Sequence, residues 1–179
     1  MASISLLYFA TGKNPSPIGN RDTSTYPYDS FPAKDGTVVF GTSGDASWQT
    51  LARVMGRPEL ADAPEYRHIA DRLSRQDELA VIIGAWTKTR TCAEICAALD
   101  EAGISCAPVL NTAQMVVDPH LSEDRKMFTG VPSPGGGQFV VTGPHIKLSE
   151  TPPAVRTPAP EPGADSEAVF AQFGIIPHE

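Results

Sequence analysis

A chain of 179 residues, 41% apolar and 20% charged, is long and apolar enough for a globular domain with tails. Its formal net charge of −7 argues against nucleic acid or an anionic membrane as partner, because both require a basic face. Three cysteines, no secretory leader and no long apolar run predict a cytoplasmic protein without membrane spans.

In chain order, residues 2–13 predict a short helix with Ile4, Leu7 and Tyr8 on one stripe and Gly12 as its stop. Pro15 and Pro17 keep the chain extended, and a polar segment then leads to Asp35-Gly36, a hairpin or turn signal before the β-branched strand 37–42. Residues 44–56 predict a helix with the apolar stripe Trp48, Leu51, Ala52 and Met55, ended by Gly56. Pro58 and Pro64 each start a short helical turn. Residues 72–88 are the longest helix candidate, with Leu73, Leu79, Ile82, Ile83 and Trp86 to one side.

Thr91 and Glu94 form a capping box for a helix reaching Gly103. Residues 104–110, interrupted by Pro108, predict an edge strand. Asn111 caps a short helix, and Asp118-Pro119 begins another turn. Residues 126–131 and 138–142 are weaker strands around Gly135-Gly136-Gly137, and residues 165–173 predict a last helix carrying Val169, Phe170 and Phe173. Helices and strands without regular alternation place the chain in the α+β class. The prolines, concentrated at 15–32 and 132–162, divide it into a linker segment 1–34, a small mixed domain 35–131 and a return segment 132–179. Val39, Trp48, Leu51, Leu79, Ile83, Trp86, Leu99 and Val109 are the expected core of the middle part.

Few residue patterns carry chemistry. Cys92 and Cys96 share a helix face and Cys106 follows on the next strand, but no histidine stands at zinc-ligand spacing from them, so packing is the simpler reading. The three consecutive glycines lie between two extended stretches, which suits a hairpin turn and not a phosphate loop before a helix. His68, His120, His145 and His178 are scattered, and Asp35, Asp45, Asp71, Asp100 and Asp118 each have a local role in a turn, helix start or solvated face. No metal site and no catalytic residue is nominated.

One set of segments carries a resemblance. Gly12, Pro15 and Gly19-Asn20 are followed by Pro27-Tyr28, Phe31, Asp35-Gly36 and Trp48. Then come Met55-Gly56-Arg57-Pro58-Glu59-Leu60, Ala102-Gly103-Ile104-Ser105-Cys106-Ala107-Pro108-Val109, Asp118-Pro119 and Leu148-Ser149-Glu150-Thr151-Pro152. Their order resembles the C-terminal portion of family III CoA-transferases, which include formyl-CoA and carnitine CoA-transferases and are related to the α-methylacyl-CoA racemases.

The resemblance implies transfer of CoA between an acyl-CoA thioester and a carboxylic acid. In that family an aspartate attacks the thioester to give a mixed anhydride, which the freed CoA thiolate converts to an enzyme thioester. The aspartate belongs to an N-terminal Rossmann-like large domain with no counterpart in this sequence, so the chain is not expected to be catalytic alone. Residues 2–13 would match that domain's last helix. Gly19, Asn20, Arg21, Asp22, Thr23, Ser24 and Thr25 would form a substrate-proximal loop, where formyl-CoA transferase instead has a glycine run.

Coenzyme A or acyl-CoA would be a substrate and not a tightly bound cofactor. The partners implied are acyl-CoA, a carboxylate, and either a second copy in a homodimer or a chain bearing the N-terminal domain. A non-catalytic subunit of a split enzyme, an inactive truncated remnant serving only protein interaction, and part of an acyl-CoA racemase are the alternatives.

Overall fold

A β-hairpin starts the folded body. The computed structural model describes residues 2–133 and 135–175; the Ile4 side chain and His178 lie outside what is described. After helix α1 (Ala2–Thr11), strands β1 (Tyr28–Pro32) and β2 (Thr37–Gly41) pair antiparallel in the register Tyr28↔Gly41 to Pro32↔Thr37. Ala33 N–H donates to the Gly36 carbonyl at 2.8 Å and closes the turn that Asp35-Gly36 predicted. Strand β1 was not anticipated, because the polar segment 19–36 that contains it, with two prolines and two tyrosines, suggested a linker. Its period-2 signal rests on Phe31, which stacks on Phe40 of β2 at 4.5 Å between ring centroids.

The helices follow in order: α2 (Asp45–Val54), α3 (Glu59–Asp62), a 3-10 turn (Pro64–Tyr66), α4 (Ile69–Ser74), α5 (Gln76–Thr87) and α6 (Cys92–Glu101). Strand β3 (Cys106–Pro108) then adds antiparallel to β2 as the sheet's edge. The α6 capping box is as expected, with Glu94 N–H donating to Thr91 Oγ1 at 3.2 Å and Thr91 N–H donating to Glu94 Oε2 at 2.8 Å. Trp48, Leu51, Ala52, Leu79, Ile83, Ile95 and Leu99 are buried between these helices and the sheet, with Tyr26, Val38 and Phe40 from the other side. Val39 and Val109, expected in the core, are exposed (38% and 55%); Val38 and Phe40 point inward, so the alternation puts Val39 on the opposite face.

Residues 1–109 form one compact unit and residues 110–179 a second. The second unit contains α7 (Thr112–Val117), capped by Asn111 Oδ1 accepting from Gln114 N–H at 3.0 Å, and a π-helical turn (His120–Asp124). It continues with the hairpin β4 (Phe128–Pro132) and β5 (Gln138–Thr142), then α8 (Ser166–Phe173). Leu6, Leu7, Tyr8 and Phe9 on α1 are exposed, as are Val169 and Phe173 on α8. Mixed helices with two small antiparallel sheets agree with the α+β class.

The single helix expected over residues 72–88 is two. Arg75 sits at φ −124° and ψ 28°, outside helical geometry, and separates α4 from α5. The reason lies one turn earlier, at Arg72, whose side chain has 0% exposure. Its Nε donates to the Tyr26 carbonyl at 2.8 Å, and Nη1 donates to the carbonyls of Tyr66 and Arg67 at 2.9 and 3.0 Å. Nη2 donates to Asp45 Oδ1 at 2.9 Å, and the guanidinium lies 5.7 Å from the Trp48 ring centroid. A helix running straight on would not aim one side chain at all these acceptors.

Replacing Arg72 with Met should leave three carbonyls without this donor and lower stability by at least ~3 kcal/mol in urea unfolding. Lys at this position should recover only part, because an ammonium lacks the planar fork. The hydrogen bond from Arg72 holds the Asp45 carboxyl below its ordinary value of 3.8. A folded value below the unfolded one contributes stability above that pH, and the contribution is lost as pH falls below it. The Arg72→Met variant should therefore lose less stability between neutral and acidic pH than the wild type.

Candidate functional site

The loop between α1 and β1 is fastened at several points, and this shapes a cleft beside the sheet. Thr42 N–H donates to the Pro27 carbonyl at 2.8 Å, Thr25 Oγ1 donates to the Thr42 carbonyl at 2.9 Å, and Asp22 N–H meets the Tyr28 carbonyl at 3.3 Å. Asp22 Oδ1 accepts from the Ser24 amide at 2.7 Å and from its hydroxyl at 2.5 Å. Those bonds, the hydroxyl first, hold the Asp22 carboxyl below its ordinary range.

Arg21 points the other way. Its Nε meets Asp29 Oδ2 at 3.3 Å, and Nη1 meets Asp77 Oδ1 at 2.7 Å and Gln76 Oε1 at 3.4 Å. The guanidinium also lies 5.8 Å from the Tyr26 ring centroid. It thus ties the loop to the start of α5.

The resulting cleft has a volume of about 790 Å³, within the range of small-molecule sites. Asp22, Ser24 and Thr25 form one wall. The sheet contributes Tyr28 and residues 39–42, the entrance to α2 contributes Ser43 and Ser47, and the stretch 103–107 closes the opposite side. Gly41 permits one close approach: a Cβ there would run into the Tyr28 ring, its cross-strand partner. The wall is rich in hydroxyls, carries one carboxylate and includes no lysine or arginine. Such a surface can orient a ligand through hydrogen bonds and exposed carbon but offers no counter-charge to a phosphate.

Of the loop singled out in the sequence, Asp22, Ser24 and Thr25 line the cleft, whereas Gly19, Asn20, Arg21 and Thr23 do not. Gly19 takes φ +73°, a left-handed turn that glycine accepts freely. Asn20 Nδ2 donates to Ser30 Oγ at 2.9 Å, and Thr23 is exposed. Thr42, Ser43 and Ser47 are wall residues that sequence reasoning did not single out; Tyr28 and Ser105 were named only within the resembling segments, and Cys106 there and among the three cysteines. Among the described residues, no group of three or more His, Cys, Asp and Glu side chains could hold a metal ion. No helix among them is long and apolar enough to cross a membrane.

This α+β arrangement is the fold of part of a CAIB/BAIF family protein from Brucella suis. The two superpose with a TM-score of 0.77 at 22% identity, over 96% of this chain and 44% of that one. The chain belongs to CoA-transferase family III, whose model matches residues 1–166. It is 38% identical over 154 residues to the succinyl-CoA:mesaconate CoA-transferase of Haloarcula hispanica, a match covering 86% of this chain and 38% of that enzyme. It is 35% identical over 123 residues to the formyl-CoA:oxalate CoA-transferase of Streptomyces coelicolor, covering 69% and 30% respectively. The chain thus spans well under half the length of these relatives.

Arg21→Ala should loosen the loop while leaving the sheet intact. Amide exchange at residues 22–25 should speed up by roughly fivefold, the equivalent of about 1 kcal/mol for a partly exposed ion-pair network, with no change in β2. Unchanged exchange in the loop would show that the backbone bonds to Tyr28 and Thr42 suffice.

Proposed function

We propose that this chain serves as the small α+β part of an enzyme that moves CoA from an acyl-CoA thioester to a carboxylic acid, with the cleft as part of the substrate site. The observation that carries the reading is the family match over residues 1–166, which includes every element framing the cleft. Asp22, Ser24 and Thr25 are the substrate-proximal part of the loop, while Arg21 acts as its anchor. A working site in this proposal is completed by the N-terminal large domain, carried by a partner chain or present in a homodimer of the complete enzyme, acting in the cytoplasm.

No residue of this chain is assigned as the nucleophile. Asp22 is the one carboxylate on the cleft wall, and its Oδ1 is engaged by Ser24, which suits a turn-forming role. Coenzyme A is a transient substrate in this reading. Its phosphates need cations, and Arg21, an obvious candidate near the loop, is already paired with Asp29 and Asp77.

Incubated with a panel of acyl-CoA donors and carboxylate acceptors, the purified chain should yield no transfer product at enzymatic rates. Turnover on the order of 1 s⁻¹ or faster would overturn the assignment of the nucleophile to another domain. Titration calorimetry with CoA should likewise give no dissociation constant tighter than ~1 μM, about −8 kcal/mol. Tighter binding would mean that the phosphates find a cationic site the cleft does not offer.

A further inference from the structure

The three cysteines gather along the seam where α6 meets the sheet, and two of them are in contact. Cys96 Sγ, in the middle of α6, lies 3.1 Å from Cys106 Sγ, on the first residue of β3. Both are free thiols, and neither is sealed from solvent. A disulfide brings its sulfurs to about 2.05 Å, so the pair is about 1 Å from bonding distance. Cys106 also lines the cleft, which gives a small reagent an approach from that side.

Cys92 is differently placed. Its Sγ lies 3.8 Å from the Thr37 carbonyl, its amide donates to Asp35 Oδ1 at 2.7 Å, and the thiol packs against Gly36. A soft metal is not the natural occupant of the pair, since no third ligand gathers there among the described residues.

We propose that Cys96 and Cys106 form a dithiol modification site that reacts with a low-molecular-weight disulfide and closes to an intramolecular disulfide beside the cleft. The exchange balances in two steps. One of the two sulfurs, as a thiolate, attacks one sulfur of the reagent, forming a mixed disulfide and expelling a thiolate that takes up a proton. The other thiol then gives up its proton and attacks the cysteine sulfur of the mixed disulfide, expelling the second reagent thiolate, which is protonated in turn. Two protein thiols are oxidised and one small disulfide is reduced to two thiols.

Burial, reinforced by the Cys96 sulfur, pushes the Cys106 thiol up to about 12. The product would fasten the middle of α6 to the start of β3, whose residues 105–107 form part of the cleft wall. Its effect on substrate rests on the proposed function above, whereas the modification itself does not.

The test reads thiols and not activity, so its failure leaves the CoA-transferase reading untouched. The intact chain is incubated with excess oxidised glutathione, alkylated, and examined by intact-mass and peptide mass spectrometry. Two of the three thiols should be lost without a retained glutathione, in a peptide linking Cys96 to Cys106, while Cys92 is alkylated. Cys92→Ser should give the same link. Cys106→Ser should stop at glutathione held on Cys96. The same treatment in denaturant should scatter adducts and links over all three positions. The proposal fails if the folded wild type keeps a glutathione adduct without the link, if the link involves Cys92, or if all three thiols stay free.

Discussion

The folded body depends on a buried guanidinium. Arg72 is a charge with no exposure, tolerable because its donors meet three backbone carbonyls and one carboxylate drawn from three separate places in the chain. Those acceptors belong to the loop before β1, the 3-10 turn and the residue after it, and the first turn of α2. One side chain therefore sets the spacing between the loop and the helices. The shape of the cleft, whose wall includes the same loop, follows from that spacing.

Much of this was legible where the physics is local. The capping box at Thr91, the cap at Asn111, the turn at Asp35-Gly36 and the Trp48 stripe each depend on residues within a turn of one another, and the structure shows all of them. The break between α4 and α5 was not legible, because it depends on acceptors at Tyr26, Asp45, Tyr66 and Arg67 that only tertiary packing collects. The inside and outside of β2 could not be separated either: a run of β-branched residues fits the sheet equally well in both phases, and packing chose Val38 over Val39. At the candidate site, the loop 19–25 was visible as a unit. Its division was not, since Arg21 and Asp22 are neighbours in sequence that serve opposite sides of the backbone.

The cleft and the cysteine seam share residues 103–107, yet they differ in chemistry. The cleft offers hydroxyls, one turn-bound carboxylate and exposed carbon, a surface suited to orienting a ligand without stabilising much charge. The seam offers two polarisable sulfurs in contact. Gly103, at φ +71°, lets the chain reverse between α6 and β3 tightly enough to bring both to the same place.

The proline that closes β3 has a consequence for how these molecules behave in a crowd. Val109 N–H donates to the Thr37 carbonyl at 2.8 Å, and the register pairs Val39 with Ala107, so by alternation the backbone groups of Cys106 and Pro108 face away from β2. Proline has no amide hydrogen to offer. The outer rim of the sheet thus presents a single outward amide along its three residues, too little to template another strand. Sheet-to-sheet polymerisation is discouraged at that rim by covalent structure, and the protection does not vary with pH or salt.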